Sequence, residues 1–267
     1  MKKRFEHNST GRRVKTMLAV DFRRMFSTRL LYIMVGICLV MPILTIVMTP
    51  MMSGSVMVNP QTGAETVMEG FTNTWQTIGT VSSAMDLMAM DLTTMCNINM
   101  LYFFVAILVG LFVAADFRSG YAKNLFTVRA KKDDYVISKT IVCFVGSTLM
   151  FLGYFVGAML GGAIAGLSFN IGAASIGGII MCILSKILMV AVFVGIDLAI
   201  SAAAKQKAWL SIIGSMMAAM LMYMMVPMIA PLDSGVMNVI MCLAGGVLFS
   251  AGLGAVSNMV LKKTSLV

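Results

Sequence analysis

Residues 30–52 read LLYIMVGICLVMPILTIVMTPMM, an apolar run of 23 residues without a charged side chain. About 20 apolar residues are needed to cross the hydrocarbon core of a bilayer as an α-helix, because each residue adds about 1.5 Å. The strands of a β-barrel would alternate apolar and polar residues, so this run predicts a membrane-spanning helix. No small-residue cleavage site follows it, which favours an uncleaved first span over a signal peptide.

Five further apolar segments of spanning length follow in the chain of 267 residues. They are Cys96–Ala115, Thr140–Ile164, Ile176–Ala204, Ala208–Pro227 and Val236–Leu261. The composition agrees, because 59% of the residues are apolar and only 12% are charged. A soluble domain has about 25% charged residues with which to cover its surface. The sequence therefore predicts an all-α, polytopic membrane protein with six transmembrane helices, and it excludes a soluble enzyme.

Basic residues are confined to one side of this predicted bundle. Every lysine and arginine except Lys186 lies before the first span, after the sixth, or in the loops after the second and fourth. The opposite loops carry only acidic charges, among them Glu65 and Asp233. Because cationic loops stay in the cytoplasm, we expect both termini to be cytoplasmic, in the plasma membrane of a bacterium. The same rule accounts for the N-terminal cations without a nucleic-acid partner.

The segment before the first span has helical periodicity. Its apolar face contains Val14, Met17, Leu18, Phe22, Met25 and Phe26, and its other face mostly contains Arg13, Lys15, Arg23 and Arg24. Residues 1–29 are therefore predicted to form a cytoplasmic basic tail and an N-terminal interfacial amphipathic helix whose basic face contacts lipid headgroups. A plain cationic flank would explain the charge but not the periodicity.

Residues 53–95 form the only long loop on the outer side of the predicted transmembrane domain, which covers residues 30–267. Met68, Phe71, Trp75 and Ile78 recur near helical spacing, so we expect helix over about residues 66–93. A lid or lateral gate and a passive cap on the bundle both fit this pattern.

The cytoplasmic loop 116–139 reads DFRSGYAKNLFTVRAKKDDYVISK. Tyr121, Leu125 and Val128 form a short apolar stripe among cations. A short amphipathic helix held between two spans suits docking to a soluble partner, although a solvated positive loop has the same composition.

This order of parts resembles the type-2 ABC transporter permeases (ABC-2), which are the six-span membrane subunits of ABC exporters. That family begins with an interfacial helix and carries a coupling helix in the loop after span two. Its pattern there is an acidic residue, an aromatic residue and a Gly-Thr pair, followed by a basic and apolar stretch, a Ser-Arg pair and a lysine that opens span three. The matching residues are Asp116, Phe117, Gly120, Lys123, Leu125, Phe126, Lys132 and Lys139, whereas Tyr121 replaces the threonine and Lys131 the serine.

The resemblance implies an exporter that moves a hydrophobic or amphipathic substrate, such as a peptide, a drug or a lipid-like molecule, by alternating access. It implies a separate cytoplasmic ABC ATPase subunit that binds ATP and Mg²⁺, and a second permease copy that forms a homodimer or heterodimer. It also implies an ATPase-docking set, namely Arg118, Lys123, Leu125, Phe126, Arg129, Lys131, Lys132 and Tyr135.

The chain lacks the residues for ATP hydrolysis or zinc chemistry of its own. It contains no GxxxxGK[ST] phosphate loop and no HExxH pattern, and its one histidine is His7 in the basic tail. We therefore predict that it is not an enzyme and that it carries no cofactor and no metal.

Lys186 and Asp197 are the charges inside the predicted spans. They are 11 residues apart, about 16 Å along a helix, so they share a face but cannot pair directly. A polar translocation path and a dimer interface are two interpretations; pairing with other spans, or snorkelling of Lys186, is the structural alternative. An ion-coupled secondary transporter with these two residues as its relay remains a rival function, as does a non-transporting immunity or scaffold protein.

Small residues recur every four positions in two spans. Gly153, Gly157 and Gly161 do so in span three, and Gly246, Ser250 and Gly254 do so in span six. This spacing lets helix backbones approach closely, so it predicts helix packing within the monomer or in a dimer.

Overall fold

A computed structural model describes residues 10–52, 54, 56–58, 65–67, 70–79, 97–127, 131–171, 175–204, 207–223 and 225–263. The helices are α1 (Thr10–Ser27), α2 (Arg29–Met52), α3 (Leu101–Arg118), α4 (Tyr121–Thr127), α5 (Lys132–Ala165), α6 (Ile176–Ala204), α7 (Ala208–Tyr223), α8 (Val226–Ile229) and α9 (Val236–Lys263). Two short 3₁₀ turns, Thr74–Thr77 and Ile98–Met100, lie before α3.

Five helices in the described part of the chain are long and apolar enough to cross a membrane. They are α2, α3 with the turn before it, α5, α6 and α9. The chain is therefore a helical, multi-pass membrane protein, as its composition predicts. The fifth predicted span, Ala208–Pro227, forms the shorter helix α7 of 16 residues, about 24 Å long, followed by α8 with Pro227 in its first turn.

Helix α5 begins eight residues before the predicted span at Thr140. Its 34 residues make a rod of about 51 Å, longer than the hydrocarbon core is thick. Asp133 and Asp134 occupy its first turn, where negative charge stabilises the positive end of the helix dipole. The helix ends at Gly166, whose φ of +68° is the left-handed conformation that glycine adopts without strain.

The loop after α2 differs from the expected helix over about residues 66–93. Strands β1 (Val56–Val58) and β2 (Glu65–Val67) pair antiparallel as a small hairpin. Residues 70–79 follow as an irregular segment around the Thr74–Thr77 turn, which Asn73 and Gln76 cap reciprocally. Asn73 favours such a cap because its side-chain oxygen accepts from the backbone of the turn that follows. Residues 68–69 and 80–93 of the expected helix lie outside the described residues.

The helices alternate in direction, so the bundle has two distinct ends. At one end, Arg13 contacts Asp134, and Asn258 contacts Asp133. We call this the cation end, because most of the described lysines and arginines lie there, chiefly on α1, on α4 and at the start of α5. The other end, which we call the loop end, holds the β1–β2 hairpin and residues 70–79.

Helix α2 packs along α5, and α9 packs along α6. Between them, α3 contacts both α6 and α7. The centre of the bundle is aromatic: the Tyr102 ring stacks on Phe193 with centroids 4.1 Å apart and tilts against Phe151 at 5.2 Å. This core separates the polar groups of the cation end from those of the loop end.

Candidate functional site

A buried group of charges joins α1, α3 and α5 at the cation end. The Lys139 side chain has no exposed surface, and its Nζ lies 2.8 Å from Asp21 Oδ1 and 2.7 Å from Asp116 Oδ2. Arg24 approaches the same carboxylates, 2.6 Å from Asp116 Oδ1 and 3.9 Å from Asp21 Oδ1. We call Asp21, Arg24, Asp116 and Lys139 the ion cluster.

The ion cluster is electrically balanced and surrounded by hydroxyl donors. Charges can be buried only where partners and hydrogen bonds replace the lost water. Ser138 donates a hydrogen bond to Asp21 Oδ2 at 2.7 Å, and Tyr135 donates to Asp116 Oδ2 at 3.0 Å. The Tyr121 hydroxyl lies 3.4 Å from Asp21 Oδ1. Two carboxylates thus face two cations within the bundle.

Tyr121 ties the short helix α4 to this network. The Arg24 guanidinium lies 3.8 Å from the centroid of the Tyr121 ring, a cation–π distance. Burial raises the pKa of Tyr121 to about 12, and the negative charge of Asp21 adds to that shift. Gly120, with φ of +72°, makes the tight turn that aims α4 away from α3. Helix α4 therefore cannot shift without disturbing α1, α3 and α5.

Five of the predicted docking residues lie on or beside α4. Arg118, Lys123 and Lys131 are exposed. Leu125 and Phe126 are half-buried and pack against the hydrophobic core. The cationic side chains thus face outward while the apolar stripe of α4 holds it to the bundle.

The remaining docking residues differ from the sequence prediction. Tyr135 is buried, 2% exposed, because its hydroxyl is bonded to Asp116, so it presents no surface to a partner. Lys132 is half-buried, and its ammonium donates to the carbonyl oxygen of Leu261 on α9. Arg129 lies outside the described residues.

The basic face of α1 also differs from the prediction. Lys15 and Arg23 are exposed, as a headgroup-facing side requires. Arg13 instead pairs with Asp134, with Nε and Oδ2 3.0 Å apart, and Arg24 enters the ion cluster. Half of the expected headgroup contacts are therefore ion pairs inside the protein.

Sequence reasoning missed the ion cluster as a unit. Its signal was Asp21, which lies one helical turn from Met17 and from Met25 on the apolar stripe of α1. A charge in the middle of an apolar stripe needs a buried partner. Asp116 and Lys139 were matched only as motif positions, so their pairing was not foreseen.

The glycine series lie at helix contacts within the chain. A Cβ atom at Gly157 would overlap the backbone carbonyl of Leu39 on α2, and one at Gly161 would lie 2.9 Å from the Cα of Ile43. Gly153 faces Val35 on the same helix. The backbones of α2 and α5 approach this closely because three successive turns of α5 carry no side chain.

The second series packs α9 mainly against α6. A Cβ atom at Gly246 would lie 3.1 Å from the Leu188 carbonyl oxygen, and Ser250 donates a 2.9 Å hydrogen bond to the Ala191 carbonyl. Gly254 instead faces Val136 on α5, where a Cβ atom would lie 3.6 Å from that side chain.

Lys186 is bonded inside the bundle, towards the loop end. Its side chain has no exposed surface, and its ammonium donates to the carbonyl oxygen of Ile78 at 2.8 Å and to Asn99 Oδ1 at 2.7 Å. The Tyr102 hydroxyl donates to the backbone carbonyl of Lys186 at 2.8 Å. The side chain therefore does not snorkel outward, and both ligands of its charge are neutral oxygens.

Asp197 lies on the same helix nearer the cation end. It is 1% exposed and lies beside Ser215 on α7, and no ion pair to it occurs among the described residues. The stacked rings of Tyr102 and Phe193 lie in the core between the two charged levels. The structure therefore does not bring Lys186 and Asp197 together.

An open apolar groove of about 430 Å³ runs between α5 and α9 at the cation end. Its lining includes Val136, Ile137, Ile141, Ala251, Gly254 and Ala255. Asp133 and Asn258, which contact each other, form its polar end. Among the described residues, no group of three or more His, Cys, Asp or Glu side chains could hold a metal ion.

Comparison with models of known protein families, with curated proteins and with solved structures finds no match to this chain.

Proposed function

We propose that this chain is the permease subunit of an ATP-driven exporter of the ABC-2 type. In this proposal α7 and α8 together make the fifth of six crossings, so both termini and α4 are cytoplasmic in a bacterial plasma membrane. A separate ABC ATPase binds at the cation end. A second permease copy completes the path, which a hydrophobic or amphipathic substrate crosses by alternating access.

The observation that carries the proposal is the position of α4. This seven-residue helix lies between two long membrane helices and presents Lys123 outward, with Arg118 and Lys131 on either side. The ion cluster links it through Tyr121 to α1, α3 and α5. A push on α4 by a soluble subunit would therefore move three helices as one body, which is what rigid-body coupling needs.

The exposed apolar surface of α9 is suited to contact with lipid or with another helix. Only 11% of its apolar window is buried, and Met237, Leu248 and Phe249 are more than half exposed. In a membrane such a face contacts acyl chains or another helix of the assembly. This proposal assigns it to lipid and to the second permease copy.

The test is co-purification of the tagged full chain from its native membrane in mild detergent. We expect a near-stoichiometric soluble protein with a phosphate loop to accompany the wild type. The double variant Lys123→Glu with Lys131→Glu should retain at least tenfold less of it, because charge reversal turns the attraction at the docking surface into repulsion. Mass spectrometry of the eluate quantifies both proteins.

Lys207→Glu is the matched control, because Lys207 is an exposed cation at the same end but lies between α6 and α7, away from α4. It should leave the recovery of the ATPase unchanged. Absence of any phosphate-loop protein after cross-linking would contradict the proposal and favour an ion-coupled transporter or a non-transporting membrane protein.

A further inference from the structure

The loop-end segment of residues 70–79 is inserted into the bundle. Thr74 and Ile78 have no exposed surface, and Phe71 is 7% exposed. Irregular backbone at membrane depth is tolerated only where it is buried in protein or lines a polar cavity, because lipid cannot bond its N–H and C=O groups. We call residues 70–79 the inserted segment.

Contacts with residues 168–170 hold the outer edge of the inserted segment in place. The Trp75 indole donates to the Phe169 carbonyl oxygen at 3.0 Å, and Thr74 N–H donates to the Ser168 carbonyl at the same distance. Deeper in the bundle, Gly162 leaves the space that the Thr74 side chain fills, since a Cβ atom there would overlap it.

The last described residues of the inserted segment contact Lys186. The Ile78 carbonyl accepts from the Lys186 ammonium, and a Cβ atom at Gly79 would lie 3.6 Å from Nζ. Lys186 lies ten residues into α6, about 15 Å from the loop end. Ile78 and Gly79 of the segment therefore lie directly against this ammonium.

Neutral oxygens do not neutralise a buried ammonium. A charge at membrane depth is costly unless an opposite charge compensates it, and a carbonyl or amide oxygen supplies no such charge. Among the described residues no carboxylate bonds to Lys186, and Glu69, Asp86 and Asp91 lie outside them. An incoming phosphate or carboxylate would therefore bind Lys186 better than the Ile78 carbonyl does.

We infer that Lys186 binds the anionic headgroup of an amphiphile, which displaces the inserted segment. The residues around it suit an apolar tail, because Cys182 and Leu232 are buried, and Cys182 Sγ and the Leu232 backbone nitrogen each lie 3.7 Å from a Cβ placed at Gly79. The inference rests on the proposed export function, for which it names the substrate class: an amphiphile with a phosphate or carboxylate head.

Trp75 provides a reporter inside the inserted segment. The chain has 2 tryptophans, so the Trp209→Phe variant leaves Trp75 as the only one. The full-length variant in phosphatidylcholine nanodiscs is titrated with dodecyl phosphate while Trp75 emission is recorded. Dodecyl maltoside and dodecyltrimethylammonium are the neutral and cationic probes of equal chain length.

We expect dodecyl phosphate to change Trp75 emission saturably, at a half-maximal concentration at least tenfold below that of either other probe. Lys186→Met in the same background should abolish the saturable change. Lys186→Arg, which keeps the positive charge, should retain it and is the control for substitution at this site. Gly162→Ala, which crowds Thr74, should lower the half-maximal concentration because it loosens the inserted segment.

The inference would be overturned if the Lys186→Met variant gave the same change in Trp75 emission with dodecyl phosphate. It would also be overturned if dodecyl maltoside changed the emission at the same concentration as dodecyl phosphate. Nanodiscs that contain phosphatidylglycerol identify the source of the headgroup. If Trp75 emission in them, before any probe is added, already differs from that in phosphatidylcholine nanodiscs, the headgroup belongs to a membrane lipid. The assay contains no ATPase, so its outcome is independent of the co-purification test.

Discussion

Among the described residues two lysines, Lys139 and Lys186, are completely buried, and their electrostatic surroundings differ. Lys139 at the cation end lies between Asp21 and Asp116, both within 2.8 Å of its ammonium. Lys186 towards the loop end bonds to a backbone carbonyl and a side-chain amide oxygen. The two side chains are equally buried, but the charge around them differs. Carboxylates neutralise the Lys139 ammonium, whereas the Lys186 ammonium bonds to neutral oxygens.

The two environments distinguish a part of the bundle that ion pairs hold rigidly from a part in which a hydrogen-bond partner can be exchanged. Three helices contribute charges to the ion cluster, so moving any one of them would strand a buried charge. The inserted segment, in contrast, offers Lys186 only a neutral carbonyl that another acceptor can replace. We expect the cation end to move as one body and the loop end to open locally.

Lys139→Met should have the largest effect, because it leaves Asp21 and Asp116 buried with only the Arg24 cation. Removing one partner of a buried ion pair costs about 3–5 kcal/mol. We expect a loss of that size in the free energy of unfolding, measured by chemical denaturation in detergent.

The double variant Lys139→Met with Asp116→Asn restores the charge balance, since Asp21 and Arg24 remain. It should be less destabilised than either single variant. A loss of stability in the double variant equal to the sum of the two single losses would show that Lys139 and Asp116 are not coupled. Lys139 would then not be neutralised by fixed carboxylates.

Lys186→Met should have a smaller effect on stability than Lys139→Met. The substitution leaves the Ile78 carbonyl and Asn99 Oδ1 without a donor, which costs about 1–3 kcal/mol, but it also removes a buried charge that lacks an ionised partner. We expect a net change of about 1 kcal/mol in the same denaturation experiment. A loss as large as that of Lys139→Met would mean that Lys186 has an ionised partner in this state.

Tyr121→Phe should have the smallest effect, visible only at high pH. The folded state raises the pKa of Tyr121 from 10.0 to about 12, so it retains a proton that the unfolded chain releases. The stabilisation is complete below pH 10 and is lost as the pH rises towards 12. Wild-type melting temperature should therefore fall more steeply between pH 10 and 12 than that of Tyr121→Phe; parallel curves would contradict the burial of the Tyr121 hydroxyl beside Asp21.

Much of the helical framework was predictable because hydropathy is a local property. The predicted span Ile176–Ala204 coincides with α6, and the first and last spans agree with α2 and α9 within two residues. Span three was predicted to begin eight residues too late, since a hydropathy reading stops at charged residues whereas the helix continues past them. Span two begins later as an α-helix, after a 3₁₀ turn that Asn97 caps.

The inserted segment was not predictable from periodicity. Phe71, Trp75 and Ile78 have the spacing of a helical face, yet the backbone around them follows the caps of Asn73 and Gln76 and the contacts with residues 168–170. Apolar spacing in a short polar loop is a weak signal, because tertiary contacts outweigh propensity there. The docking residues were only partly predictable for the same reason: Tyr135 and Lys132 turn inward onto partners on other helices.

By itself, the sequence determined that this is a helical multi-pass membrane protein whose cations lie in alternate loops, because charge and hydropathy act over a few residues. Only the tertiary structure decided which charges meet. Asp21 and Lys139 are 118 positions apart, and Lys186 lies 108 positions from Ile78. Such pairings follow from how the helices pack around the core, and a single sequence does not record that arrangement.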